Sequence, residues 1–168
     1  YCDMLERTIR KLKDGVEDGI PEPDPVLEIS VDGYIPDDYI ADPRYKLELY
    51  RRFAGLDYGE KDDLLDEIID RFGEPPEEVE VLWRVACLRA LCRLLHIRGI
   101  SVKPGELRIT FAENAAIDPT ALMQLISEQQ QYMNFKSGVQ AQLIFRTVKL
   151  KTDSLTWLEK NLPRLAFD

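Results

Sequence analysis

DDLLDEIIDRFGEPPEEVEVLWRVACLRALCRLL, residues 62–95, reads as two helices meeting at a Gly-Glu-Pro-Pro corner. In the first, Leu64, Leu65, Ile68, Ile69 and Phe72 recur at i, i+3/i+4 spacing, and Asp62, Asp63, Asp66, Glu67 and Asp70 take the positions between them. One face is apolar and the other acidic. Gly73 is placed to cap that helix in a left-handed conformation, and Pro76 can open the next at a position where no amide hydrogen is needed. The second helix carries Val79, Leu82, Trp83, Val85, Ala86, Cys87, Leu88, Ala90, Leu91, Cys92, Leu94 and Leu95. These wrap more than a single stripe, so other elements should cover it on most sides. Each buried Leu or Trp contributes roughly 1.5–3 kcal/mol, enough to make this helix the anchor. The acidic helix should lie on it with its charge outward.

The flanking chain follows from the same rules. Tyr1–Lys13 reads as a helix with Leu5, Ile9 and Leu12 on one side and Arg7, Arg10, Lys11 and Lys13 on the other. It starts in mid-helix without an initiator Met, which reads as a piece of something larger. Residues 15–25, dense in Gly, Pro and acid, resist both helix and strand and read as a linker. Leu27, Ile29 and Val31 alternate with polar residues as one strand, Asp32-Gly33 turns the chain, and Tyr34–Ile40 is extended. Asp42 followed by Pro43 caps a helix through Ala54 that should bury Leu47, Tyr50 and Phe53 or Ala54.

Beyond residue 99, two alternating runs flank Pro104-Gly105 as a hairpin. Asp118-Pro119 opens a helix to about Gln131, residues 140–148 alternate as a strand, and Ser154–Leu165 forms a helix with Leu155, Leu158, Leu162 and Leu165 inward. The expected fold is α+β: a helical bundle around a central apolar helix, packed with a small antiparallel sheet.

Charge divides the chain. Residues 1–80 hold 24 acidic and 10 basic side chains, residues 81–168 only 7 and 12, within a net charge of -9. An acidic half opposes a broad phosphate-binding footprint and favours a basic protein surface as partner. The plainer alternative is charge that keeps an amphipathic domain soluble. Cys2, Cys87 and Cys92 are odd in number and form no Cys-x-x-Cys pair, as expected of free thiols in a reducing cytoplasm. No run approaches 18 apolar residues, so no membrane partner is expected.

No constellation of catalytic residues emerges. His96 is the single histidine, at the end of the core helix, and there is no Gly-x-x-x-x-Gly-Lys loop, Gly-x-Ser-x-Gly elbow or Cys/His cluster at metal-ligand spacing. Asp37-Asp38 and Asp66/Asp70 supply too few convergent oxygens for a hard cation, so neither metal nor cofactor is expected. A nucleic-acid-binding alternative has Arg84, Arg89, Arg93 and Arg98 to rely on. These share a helix with broad apolar surface and lack an aromatic stacking platform.

Three blocks carry a resemblance: VDGYIPDDYI from Val31, LELYRRFA from Leu47, and DEIIDRFGEPPEEV from Asp66. With their spacing they resemble the C-terminal domain of the bacterial transcription-repair coupling factors (Mfd, TRCF domain), and the opening YCDMLE is similar to the end of the translocase module before it. The resemblance implies residues 1–14 as the closing helix of that module, 15–25 as linker and 26–168 as the regulatory domain. It also implies a function: a non-catalytic domain that docks on the UvrB-like N-terminal module of its own polypeptide. There it would compete with UvrA and restrain an ATP-driven DNA translocase until stalled RNA polymerase is engaged. By position in the motif, Glu67 and Asp70 match acidic residues that face arginines of that module, and Asp63, Asp66 and Glu74 complete the expected docking face. RNA polymerase and DNA are then partners of the parent protein, a cytoplasmic one.

Overall fold

The computed structural model describes residues 24–147 and 152–167; the expected N-terminal helix and most of the linker lie outside them. Two compact units divide the described chain: Val31–Ala90 forms one, and the flanking stretches, to Ser30 and from Leu91 onward, form the other.

The first unit is helical. Helix α1, Pro43–Ala54, begins where Asp42 Oδ1 accepts a hydrogen bond from the Arg44 amide and Pro43 needs no partner. A single 3-10 turn at Tyr58–Glu60 leads into α2, Lys61–Phe72, and α3, Glu77–Leu95, begins in this unit and continues past its end. Gly73 closes α2 with its amide donating to the Ile69 carbonyl at φ 89 and ψ -177. The positive φ is the one expected, but ψ is extended, which sends the chain straight into the Pro75-Pro76 corner. Pro76 stands just before α3, its carbonyl accepting from Val79 and Glu80. The core joins Ile35, Ile40, Leu49, Phe53, Leu56, Leu64, Ile68, Val79 and Ala86, with Phe72, Leu82 and Trp83 packed against it.

In α1 the inward stripe differs from the one expected. Phe53 is buried as expected and Leu49 with it, whereas Leu47 is 51% exposed and Tyr50 39% exposed. Leu49 and Phe53 stand four apart, one turn above the other, and continue into Leu56; Leu47 and Tyr50 fall on the flank of that stripe. The Tyr50 hydroxyl accepts from the Ile35 amide at 2.9 Å, a polar task that keeps the ring at the margin.

The second unit holds a five-stranded sheet in the order β1-β2-β3-β5-β4, with β1 at Val26–Glu28, β2 at Ile97–Lys103, β3 at Glu106–Phe111, β4 at Met133–Lys136 and β5 at Gln142–Arg146. The hairpin turns at Pro104-Gly105, where Gly105 takes φ 81 between paired Lys103 and Glu106. The β2–β3, β3–β5 and β5–β4 pairings are antiparallel, and the sequence-distant β1 joins β2 in parallel. β1 is shorter than the alternation predicts, and a Cβ on Gly99 would stand 2.8 Å from the Val26 carbonyl oxygen, so glycine permits that approach. β4 was not anticipated: only Met133 of its four residues is buried, so the burial pattern offers little signal. Leu107, Ile109, Leu143 and Phe145 meet in register on one face, all buried. Helix α4, Pro119–Glu128, and helix α5, Ser154–Asn161, complete this unit. Asp118 and Asp153 cap them, each accepting from an amide of the first turn. Trp157 of α5 stacks on Phe145 at 4.8 Å. Leu155, Leu158, Leu162 and Leu165 are all buried as expected, but the last turn tightens to a 3-10 form at Leu162–Leu165, where Pro163 cannot donate to a helical ladder. The α+β arrangement is the one anticipated, with a parallel edge strand added to the antiparallel sheet.

Candidate docking face

The acidic residues singled out from sequence lie where helical periodicity puts them. Leu64 and Ile68 point inward at 3% and 2% exposure, and Asp63, Asp66, Glu67 and Asp70, at i, i+3, i+4 and i+7, share the exposed side of α2. Glu74 is exposed just beyond Gly73.

Where the counter-charges go decides the character of this face. Arg71, four residues after Glu67, could pair with it along the helix but turns to α1: its Nη1 donates to Glu48 Oε1 at 3.4 Å, and its guanidinium lies 5.0 Å from the Tyr45 ring centre and 5.1 Å from that of Phe72. Lys61 reaches Asp62 and lies over the Tyr58 and Trp83 rings, while the Trp83 indole donates to the Lys61 carbonyl at 2.8 Å. Among the described residues, Asp63, Asp66 and Asp70 make no ion pair. Glu67 does, with Arg52 of α1. The two cross-helix pairs, Glu48 with Arg71 and Arg52 with Glu67, show that α1 and α2 run antiparallel where they meet. Beside the second pair lies an open depression of about 420 Å³ lined by Arg51, Arg52, Gly55, Leu56, Glu60, Asp63, Leu64 and Glu67. Sequence reasoning missed Arg52 because its reach to Glu67 spans 15 positions and two helices.

The far end of the face is held by Tyr39, whose hydroxyl donates to the Gly73 carbonyl at 2.6 Å and whose ring meets Phe72 at 6.1 Å. Burial first, and then the Glu74 carboxylate, push the phenol above its ordinary value of 10.0. The folded unit therefore favours the neutral phenol. Its stabilisation is complete below pH 10.0 and is lost as pH rises through the higher folded value. Tyr39→Phe, which removes a hydrogen bond contributing about 0.5–1 kcal/mol, is expected to shrink the alkaline loss of stability in thermal melts. An alkaline limb unchanged by the substitution would assign that loss to another group.

The remaining candidates are placed elsewhere. Asp37 pairs with Lys46, and no group of three or more His, Cys, Asp or Glu among the described residues is arranged to hold a metal. Arg84, Arg89, Arg93 and Arg98 are all half-buried, and Arg93 donates to Asp24 at 2.9 Å. His96 ends α3 at φ 55 and joins it directly to β2. Cys87 is half-buried and Cys92 buried, and among the described residues no helix is long and apolar enough to cross a membrane.

Residues 29–122 match the family model described as the TRCF domain, a span of more than half the chain. The chain belongs to the TRCF-domain family. The transcription-repair-coupling factor of Bacillus subtilis is 34% identical over 128 residues, covering 74% of this chain and 11% of that protein. That of Escherichia coli is 27% identical over 169 residues, covering 98% of this chain and 15% of that protein. A crystal structure of the C-terminal domain of transcription-repair coupling factor superposes with a TM-score of 0.69 at 25% identity, covering 84% of this chain and 89% of that one. This TRCF domain thus spans only a small part of the length of its full relatives. The family match takes in α1, α2, α3 and the β2–β3 hairpin, so the acidic face lies within it.

Proposed function

We propose that this TRCF domain is a non-catalytic docking module, whose acidic α2 face seats reversibly on the UvrB-like N-terminal module of its own polypeptide. The observation that carries the reading is the diversion of Arg71 and Lys61 away from Asp63, Asp66 and Asp70, which leaves an anionic stripe on a rigid helix. Such a stripe complements arginines on a facing surface. Docked, the domain would mask the surface that UvrA binds and hold back the ATP-driven translocase of a cytoplasmic parent until stalled RNA polymerase displaces it. Residues 1–14 would then close the translocase module and 15–25 link it to the docking domain.

Magnitudes suit a latch. An exposed ion pair contributes about 0–1 kcal/mol, and close pairs desolvated in an interface couple by roughly 1.5–7 kcal/mol. Tethering on one chain adds an effective concentration on the order of millimolar, so a contact with a Kd of about 10 μM stays closed roughly 100 to 1 and still yields to a competitor. Calorimetric titration of the 168-residue chain with the isolated UvrB-like module is expected to give micromolar binding that weakens steeply between about 50 and 300 mM salt. No heat with the module at low salt, or a salt-steep response to duplex DNA in its place, would refute the docking reading.

A further inference from the structure

The docking face is not uniformly available. Asp63, Asp66 and Asp70 make no ion pair among the described residues, whereas Glu67 is occupied by Arg52 from the neighbouring helix. Neither partner of that pair is buried: the Arg52 side chain is 41% exposed and that of Glu67 48% exposed. An exposed pair of long side chains gains little Coulomb energy over solvent and exchanges readily. The pair also borders the depression whose other acidic walls are Glu60 and Asp63. A cationic side chain arriving there meets a carboxylate already holding a guanidinium, with room beside it. Arg71, whose pair with Glu48 is as exposed, differs in lying over two aromatic rings, contacts it would have to give up to reach Glu67 when Arg52 leaves.

We propose that Arg52 is a built-in competitor for the docking cation: its guanidinium sits on Glu67 as a stand-in for a partner arginine and must be displaced when the domain docks. The inference rests on the docking reading above and adds its regulation. The consequence is an affinity held below what the acidic face can deliver, with the deficit set by one α1 side chain. Docking then has a low-cost reverse step, because Arg52 returns to Glu67 as the partner departs and the Glu67 carboxylate is not left bare.

The test is titration of the 168-residue chain with the UvrB-like module at one fixed, low salt concentration. Arg52→Gln is expected to tighten binding about two- to fivefold, the equivalent of one exposed pair. Arg52→Lys, which keeps the charge, should stay near the unsubstituted chain. Removing any positive charge from this region favours a cationic partner, so Arg51→Gln is the control: Arg51 lines the same depression and makes no ion pair among the described residues. The gain from Arg52→Gln should exceed that from Arg51→Gln, and it should vanish in a Glu67→Gln background. Equal gains from the two arginines, a gain that survives Glu67→Gln, or weaker binding by Arg52→Gln overturns the proposal while leaving docking intact. If the unsubstituted chain binds no module at all, the docking reading fails instead. The side-chain ¹⁵N resonance of Arg52 in the free chain provides a second measurement: it should move on Glu67→Gln, and an unmoved signal overturns the competitor whatever docking does.

Discussion

Glu67→Lys together with Asp70→Lys, introduced into the full-length parent, is expected to raise UvrA binding and basal ATPase activity together. On the proposed docking, each reversal would replace an attraction with a repulsion at arginines of the facing module. At about 1.5–7 kcal/mol for a close interfacial pair, the two should weaken docking by about tenfold or more even if only the lower figure applies. The fold should tolerate them, because both side chains are exposed and the residues beneath, Leu64 and Ile68, are untouched. Loss of the Arg52 pair accounts for at most a small part of any destabilisation, since exposed pairs contribute little. Glu77→Lys with Glu80→Lys is the matched control, the same change of charge at exposed positions on α3. UvrA binding and ATPase rates that stay flat in the α2 variant, or rise equally in both, would count against a latch made by this face.

Ile68→Ala is expected to cost the Val31–Ala90 unit a large part of its stability. Ile68 is 2% exposed on the inner face of α2, within the cluster that includes Leu49, Phe53, Leu64 and Val79. Truncation removes three carbons from a close-packed interior and leaves a cavity, at a cost of about 2–5 kcal/mol. That is a large share of the roughly 5–15 kcal/mol typical of a domain. The chain offers a convenient reporter, since of its two tryptophans Trp83 packs against this cluster and Trp157 stacks on Phe145 in the other unit. In a Trp157→Phe background, fluorescence follows Trp83 alone, and its urea midpoint should fall well below that of the same chain with Ile68 intact. An unshifted midpoint would mean that α2 is not anchored through this residue. Docking should fall as well, because the acidic stripe is presented only while α2 is seated.

Much of this was readable in one dimension. Pro43 and Pro119, each after an aspartate, announce helices whose first turns the structure places at those residues, because the cap is a contact two residues long. The alternation of Leu143 and Phe145, the Leu155–Leu165 stripe and the near-continuous apolar surface of α3 are patterns with a period, and burial follows period. The inward stripe of α1 was less legible. Over 12 residues two stripes compete: Phe53 is inward as expected, but its companion is Leu49 rather than Leu47 and Tyr50, in a cluster that draws on Leu64, Ile68 and Val79 of other helices, which no window on α1 contains. β4 and the parallel pairing of β1 with β2 were harder still to read: both are edge strands with little burial, and β1 is aligned by a partner remote in sequence.

By itself, then, the sequence determined which residues of α2 are acidic and which side of the helix they share, since both depend only on residue identity and a 3.6-residue period. Only the tertiary structure decided which of those acids keep an unpaired charge among the described residues. Pairing is a matter of distance in space: Arg71, four residues from Glu67, turns to Glu48, Tyr45 and Phe72, and Arg52, fifteen residues away, takes the carboxylate that Arg71 leaves.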